Sequence, residues 1–247
     1  MRRIRSIFAL AIVVSAIAAV GTFAGPAEAG GPARYRVTIR NLTDTQPLTP
    51  PVVVAHRFRF NLFTVRDLAT VGLKEVAENG NVPNLVSSVE QAFAVRDVVA
   101  GGAPVVPDGL PGSGAGDDHI TLELTAPGGA RFFSWASMLI CTNDGFTGTN
   151  HVKLPVHVGD RVTYRSLGYD SGTEVNTEDF ADIVPPCQDL VGVSSSDDGT
   201  GASDAALLEG GVVHHHPGIQ GGDDLEPGAH GWDTDASVAM VTVTRIA

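Results

Sequence analysis

Alternating apolar and polar side chains mark the first element of the chain. In "ARYRVTIRNLT", Tyr35, Val37 and Ile39 are separated by polar residues. A period of two is typical of a β-strand with one buried face. Further runs with strand character follow along the chain: "PPVVVAHRFRFNLFTV", "HITLELTAP", "ARFFSWASMLIC", "HVKLPVHV", "RVTYRSLGY" and "ASVAMVTVTRIA".

Two other stretches carry a helical pattern. A short helix is predicted in "LATVGLKEVAENGN", closed by Asn79 and Gly80, and another in "VPNLVSSVEQAFAVRDVVAGG", which stops at Gly101 and Gly102. Residues 178–222 are rich in Gly, Ser and Asp and are predicted to be mostly irregular. Many short strands with Gly/Pro turns favour an all-β fold, an antiparallel β-sandwich with one or two short helices and long loops.

The N-terminus has the pattern of a secretory signal. Arg2, Arg3 and Arg5 precede an apolar stretch that ends in small residues at Ala27-Glu28-Ala29. This order predicts a signal peptide over residues 1–29 and a mature domain over 30–247. An uncleaved membrane anchor is the alternative. No later segment is apolar enough to span a bilayer, so we expect a secreted, extracellular protein with no integral membrane segment after cleavage.

Composition narrows the classes of partner. The 247 residues carry a formal net charge of −12, which makes nucleic acid and bare anionic membrane poor partners. An extracellular protein or a glycan is the expected ligand. The chain has two cysteines, Cys141 and Cys187. In an exported protein they are expected to form a disulfide, with free thiols or soft-metal ligation as alternatives.

Two strand-like runs end in acidic, glycine-containing turns. Asp144 follows "RFFSWASMLIC", and Asp170 with Glu174 follows "RVTYRSLGY". In an up-down-up arrangement the first and third strands end at one edge, so these three carboxylates are expected to meet. Asn143, Asn150 and backbone carbonyls would add neutral oxygens. Such a set suits Ca²⁺, although Asp and Asn are also ordinary turn residues that bond their own backbone.

The paired motifs resemble a known family. "SMLICTNDGFTGTN" followed by "GYDSGTEVNTED", with "YRVTIRNLT", "HHHPGIQG" and "VAMVTVTRI", is similar to the spondin N-terminal (F-spondin) domain of bacterial secreted proteins. The resemblance implies a β-sandwich similar to C2 domains with a calcium site in the loops at one end. By motif, it assigns Asp144, Asp170 and Glu174 to that site.

Several positions depart from the family pattern. Gly145 stands where animal members carry Trp, and Glu174 stands where they carry Asp. Asn150 occupies a position that is often acidic. No thrombospondin-type repeats follow in this sequence, so the adhesive architecture of the animal proteins is not expected here.

A histidine run offers a rival metal site. In "VVHHHPGIQGGDD", His214 and His216 would point to one face of an extended segment and His215 to the other. His214 and His216 are therefore candidate ligands for Zn²⁺ or Cu²⁺. The alternative is a strand end whose imidazoles bond to loop carbonyls.

No arrangement of nucleophile, base and orienting group can be assigned, so the protein is not expected to be an enzyme. The pattern favours a secreted calcium-binding module for binding or adhesion. A metal-dependent enzyme using the histidine run and a metal-free structural cell-surface domain are the alternatives.

Overall fold

The computed structural model describes residues 31–247. Its strands are β1 (Ala33–Asn41), β2 (Val52–His56), β3 (Val95–Ala100), β4 (His119–Ala126), β5 (Phe132–Met138), β6 (Gly145–Lys153), β7 (Arg161–Ser166), β8 (Gly168–Asp170), β9 (His214–His215) and β10 (Ala239–Arg245). Its helices are α1 (Val71–Asn79), α2 (Val82–Glu90), α3 (Pro186–Val191) and α4 (Pro227–His230).

A four-stranded antiparallel sheet forms one layer, in the order β4-β1-β10-β7. The alternation predicted for β1 is confirmed, since Tyr35, Val37 and Ile39 are all buried while their polar neighbours are not. Val37 pairs with Val243 on one side and Leu122 on the other. The apolar face built in this way packs into the core between the two sheets.

A six-stranded antiparallel sheet forms the second layer, in the order β3-β2-β5-β6-β8-β9. All five residues of β2 are buried because both faces of the strand are covered. Val53 and Ala55 belong to the core between the sheets, whereas Val52 and Val54 pack in the cluster that contains the helix residues. Double coverage explains why β2 is a continuous apolar run rather than an alternating one.

Helices α1 and α2 cover the outer face of the six-stranded sheet. Thr70 caps α1 by accepting a hydrogen bond from the Leu73 amide at 3.2 Å. Gly80 ends α1 in the left-handed conformation (φ 61°), as the Asn79-Gly80 pair predicts. Leu73 of α1 and Leu85 of α2 are buried in the same apolar cluster as Val52 and Val54 of β2.

The predicted antiparallel β-sandwich with few helices is confirmed. Strand β3 and the short helices α3 and α4 were not predicted. Every residue of β3 is half-buried, so the strand shows no alternation in the sequence. Helix α3 depends on its buried Cys187 and Val191, which pack in a third cluster around the disulfide.

Two predicted strands are placed differently in the structure. The strand predicted over residues 151–158 is wrong. The observed strand, β6, begins earlier, at Gly145 in the predicted acidic turn, and ends at Lys153. Gly148 permits this register, since a Cβ there would collide with the carbonyl oxygen of Trp135.

The run over residues 161–169 divides at Leu167 instead of forming one strand. Its first part, β7, pairs with β10 in the four-stranded sheet, and its second part, β8, pairs with β6 in the six-stranded sheet. The predicted up-down-up order within one sheet is therefore wrong. The pairing of β8 with β6 nevertheless brings Asp170 opposite Gly145.

Pro32–Ala247 forms one compact unit. The predicted signal peptide over residues 1–29 lies outside the described residues. Among residues 31–247, every helix is too short or too polar to cross a membrane.

Candidate functional site

The disulfide fixes the loop that leads to Asp144. Cys141 and Cys187 are bonded, as predicted, with their Cα atoms 5.1 Å apart, and both residues are fully buried. Thr142 closes the turn by accepting a hydrogen bond from the Gly145 amide at 2.9 Å and donating one to the Leu139 carbonyl at 2.7 Å. The loop therefore presents Asp144 from a well-anchored turn.

Asp144 is fully buried, and its two carboxylate oxygens have different surroundings. Its Oδ2 accepts hydrogen bonds from the amides of Thr173 (2.7 Å) and Glu174 (3.0 Å) and from the hydroxyl of Ser171 (3.0 Å). Its Oδ1 is buried and has no hydrogen-bond partner among the described residues. A buried acceptor without a partner is costly, so this oxygen calls for a bound group.

The charge of Asp144 is also unfavourable. Burial is the largest cause that raises the pKa of its carboxyl, and the negative charge of Asp170 raises it further. The hydrogen bonds to Oδ2 act in the opposite direction without cancelling the effect. A cation beside Oδ1 would stabilise the ionised form.

Asp170 ends β8 directly beside Asp144 and is also fully buried. Its Oδ1 accepts from the Gly172 amide at 2.7 Å, and its Oδ2 accepts from the Asn176 side chain at 2.8 Å. Gly172 has φ +70°, and a Cβ there would lie 2.6 Å from the Val212 backbone. Glycine is therefore required where the turn meets the 211–213 segment.

The third carboxylate of the group is Glu209, which the sequence analysis missed. Single carboxylate oxygens of Asp144, Asp170 and Glu209 all lie within 4.8 Å of one another. Backbone hydrogen bonds from Glu209 to Thr173 (3.3 Å) and from Gly211 to Gly172 (2.8 Å) hold this segment against the turn. Glu209 lies in the irregular 178–222 region, where no periodicity indicates which acidic residue returns to the site.

Glu174 is not part of this group of three. Its amide donates to Asp144, but its own Oε1 accepts from the Asp204 amide at 2.9 Å. Its carboxylate lies near Glu78, which is paired with Lys74 at 2.5 Å. Burial, with a smaller contribution from the charge of Glu78, raises the pKa of Glu174 to about 7.

The two asparagines predicted as additional ligands have other partners. Asn143 is buried and donates to the Thr177 hydroxyl at 3.1 Å, next to the site. Asn150 lies five residues along β6 from Gly145 and binds the 61–63 segment instead. Its Oδ1 accepts from the Leu62 amide at 2.9 Å, and its Nδ2 donates to the Phe63 carbonyl at 2.6 Å.

The histidine run reaches the edge of the carboxylate group through one contact of His214 with Asp170, and His214 is not among the residues whose ligand atoms all lie within 4.8 Å of one another. His214 Nε2 lies 3.7 Å from Asp170 Oδ2. His216 is buried, and its Nδ1 accepts a hydrogen bond from the Gly218 amide at 2.9 Å. Burial lowers the pKa of His216 to about 4, so the ring is neutral at pH 7.

The tautomer of His216 follows from that hydrogen bond. With Nδ1 accepting, the neutral ring carries its proton on Nε2, and neither nitrogen has a free lone pair for a metal. In this conformation His216 cannot act as a metal ligand alongside His214. The joint His214–His216 site considered from the sequence does not fit this geometry.

A second acidic group, Asp179, Asp197 and Asp224, also has carboxylate oxygens within 4.8 Å of one another. Two of its members cap local structure. Asp179 accepts from the Ala181 amide at 2.8 Å, and Asp224 accepts from the Phe180 amide at 3.4 Å. None of the three carries a buried oxygen without a partner, which separates this group from the one at Asp144.

In comparisons with known proteins, no family model matches the chain and no curated protein matches it. The resemblance to spondin N-terminal domains therefore stays a prediction from the sequence motifs.

Proposed function

We propose that this protein is an exported β-sandwich domain of the spondin N-terminal type that binds Ca²⁺ at Asp144, Asp170 and Glu209 and acts as a binding or adhesion module. The observation that carries the proposal is the fully buried Asp144, whose Oδ1 has no partner beside two further carboxylates. Three carboxylates this close repel one another unless a cation neutralises them.

The chemistry of the donors favours calcium. The group offers carboxylate oxygens, and hard oxygen ligands are those that Ca²⁺ prefers. Asp144 and Asp170 are buried and held by hydrogen bonds, whereas Glu209 is exposed and can adjust its position. A flexible third ligand suits the variable coordination of Ca²⁺ better than the strict octahedron of Mg²⁺.

Export is supported by two features of different kind. The N-terminal pattern is that of a secretory signal, and the buried disulfide is the kind of crosslink that persists in oxidising compartments. We expect the exported protein to begin at Gly30, which intact mass measurement would check. A mass that retains the first 29 residues would support the anchor instead.

The calcium proposal is tested by the isosteric variant Asp144→Asn. The parent protein should bind one Ca²⁺ in titration calorimetry and unfold at a higher temperature in calcium than in chelator. Asp144→Asn should lose both effects. In chelator it should be at least as stable as the parent, because its amide would donate to the neighbouring carboxylates and remove the repulsion.

A pair of glutamate variants separates the two candidate third ligands. Glu209→Gln should weaken calcium binding by roughly tenfold or more, whereas Glu174→Gln should change it little. The reverse result would restore Glu174 as the ligand. Equal calcium affinity in Asp144→Asn and in the parent would contradict the proposed site, because calcium would then bind elsewhere. No calcium binding by the parent would leave a metal-free structural domain.

A further inference from the structure

One ring nitrogen of His214 makes a hydrogen bond, and the other makes none with the described residues. Its Nδ1 lies 2.9 Å from the carbonyl oxygen of Val212. A carbonyl oxygen can only accept, so Nδ1 carries the proton of the neutral ring. The lone pair is therefore on Nε2, and this nitrogen lies 3.7 Å from Asp170 Oδ2.

This is the arrangement of a histidine prepared to bind a metal. Metal-ligating histidines commonly donate their other N–H to a backbone carbonyl, which fixes the tautomer and the ring orientation. In the neutral ring the unprotonated Nε2 lies near the Asp170 carboxylate, which is unfavourable by itself, and a divalent cation bound by both groups would replace this repulsion by two bonds. Two donors bound to one tetrahedral Zn²⁺ lie about 3.4 Å apart, so the observed 3.7 Å needs only a small shift of the side chain for a shared ion.

The remaining surroundings agree with that role. Asp170 is fully buried and held by Gly172 and Asn176, so its carboxylate is fixed. The His214 side chain is 45% exposed. Its ring can therefore move closer to the group of Asp144, Asp170 and Glu209, as it must to share their ion, since it lies outside the set of ligand atoms within 4.8 Å of one another. Its neighbour His215 is exposed and packs its ring edge-to-face on Tyr169 at 5.4 Å, away from any role in the carboxylate group.

We infer that His214 supplies a nitrogen ligand at the proposed cation site, so that the site also binds a divalent metal of the zinc class. The inference rests on the proposed function for the location of the site, but it concerns a different ligand and a different ion. Imidazole nitrogen suits Zn²⁺ and similar metals, whereas Ca²⁺ takes oxygen ligands. Replacing His214 should therefore separate the two metals.

The experiment measures Zn²⁺ and Ca²⁺ affinities by calorimetry in the parent protein, His214→Ala, the matched control His215→Ala and Asp144→Asn. Unfolding in chelator checks that each variant folds. We expect His214→Ala to weaken Zn²⁺ binding by about tenfold or more, as loss of a ligand or of its support does. Calcium affinity should stay within about twofold, and His215→Ala should leave both metals unchanged.

The outcomes distinguish the inference from the proposed function. Zn²⁺ affinity unchanged in His214→Ala, or weakened equally in His215→Ala, overturns the inference while calcium binding can still stand. Zinc binding that requires both His214 and Asp144, without any calcium binding, supports the inference and overturns the calcium proposal. Asp144→Asn with full affinity for both metals overturns both.

Discussion

Asp144 and Asn150 lie towards the two ends of β6, and their polar groups are satisfied in different ways. Asn150 accepts from the Leu62 amide and the Ser134 hydroxyl and donates to the Phe63 carbonyl, all within 3.0 Å. Asp144 satisfies only Oδ2 and leaves Oδ1 buried without a partner. Both residues were candidate ligands from the sequence. The comparison teaches that a polar residue with all its partners in the fold is structural, whereas an unmatched buried carboxylate oxygen in a group of three carboxylates marks a candidate ligand.

The largest expected effect comes from the disulfide, which clamps only the Asp144 end of the strand. The cysteines are 46 positions apart, and closing such a loop stabilises the native state by about 4 kcal/mol in the chain-entropy model. The double variant Cys141→Ser/Cys187→Ser should lose much of this free energy of unfolding in denaturant titration. It should also bind calcium more weakly, because the Asp144 turn loses its anchor.

The matching control for the disulfide is the opposite end of β6. The contacts of Asn150 with the 61–63 segment do not involve Cys141 or Cys187. Hydrogen exchange of the Leu62 amide, measured relative to global unfolding, should be unchanged in the double variant. Equal loosening at both ends would mean that the disulfide acts on the whole sandwich.

Two effects of similar, intermediate size are expected at Asn150 and Asp170. Asn150→Ala removes the partner of the buried Leu62 amide and of the Phe63 carbonyl, which should cost about 2 kcal/mol. The loss should be the same in calcium and in chelator, as thermal or denaturant unfolding would show. A loss that appears only in calcium would instead make Asn150 part of the metal site.

Asp170→Ala should show the opposite dependence on calcium. A ligand that binds only the folded state contributes about 2.7 kcal/mol at 100-fold excess over its dissociation constant, and this variant should lose that term. The calcium-dependent part of the stability is obtained by subtracting the chelator measurement. Loss of equal size in both buffers would make Asp170 a turn residue only.

The effect with the widest expected range concerns pH and Glu174. Its pKa is raised to about 7 in the folded protein from 4.5, so the folded state holds this proton more tightly than the unfolded chain does. Its contribution is therefore most favourable below about pH 4.5 and is lost as pH rises towards 7, by about 1–3 kcal/mol. In chelator, Glu174→Gln should flatten this part of the stability profile. A parallel profile for the variant would contradict the assignment.

The sequence predicted the sandwich better than it predicted the site. Strand β1 was evident because one of its faces is buried and the other is not. Strand β6 was misplaced because Phe146 is the one large apolar residue of its buried first half, "GFTG", whose burial depends on tertiary packing rather than on a local pattern. The same limit hid Glu209, which reaches the site through backbone pairing with the 172–173 turn.

The two aspartates, in contrast, could be predicted because each follows directly on a strand-like run. Their meeting was expected for a reason that proved incomplete, since the run over residues 161–169 changes sheets at Leu167. The short strand β8 restores the contact by pairing with β6. The pairing of Cys141 with Cys187 could be predicted from a count of two cysteines and the expected export of the chain.

The candidate site draws on chain segments that are far apart, and this has a kinetic consequence. Asp144, Asp170 and Glu209 come together only when β8 has paired with β6 and the 209–213 segment has docked on the turn. These long-range contacts are expected to form late in folding, after the local hairpins. Calcium should then slow unfolding while leaving the folding rate nearly unchanged, because the three carboxylates that bind it are not yet together in the transition state. For an exported protein, the ion would bind after folding is complete and would lengthen the lifetime of the folded state.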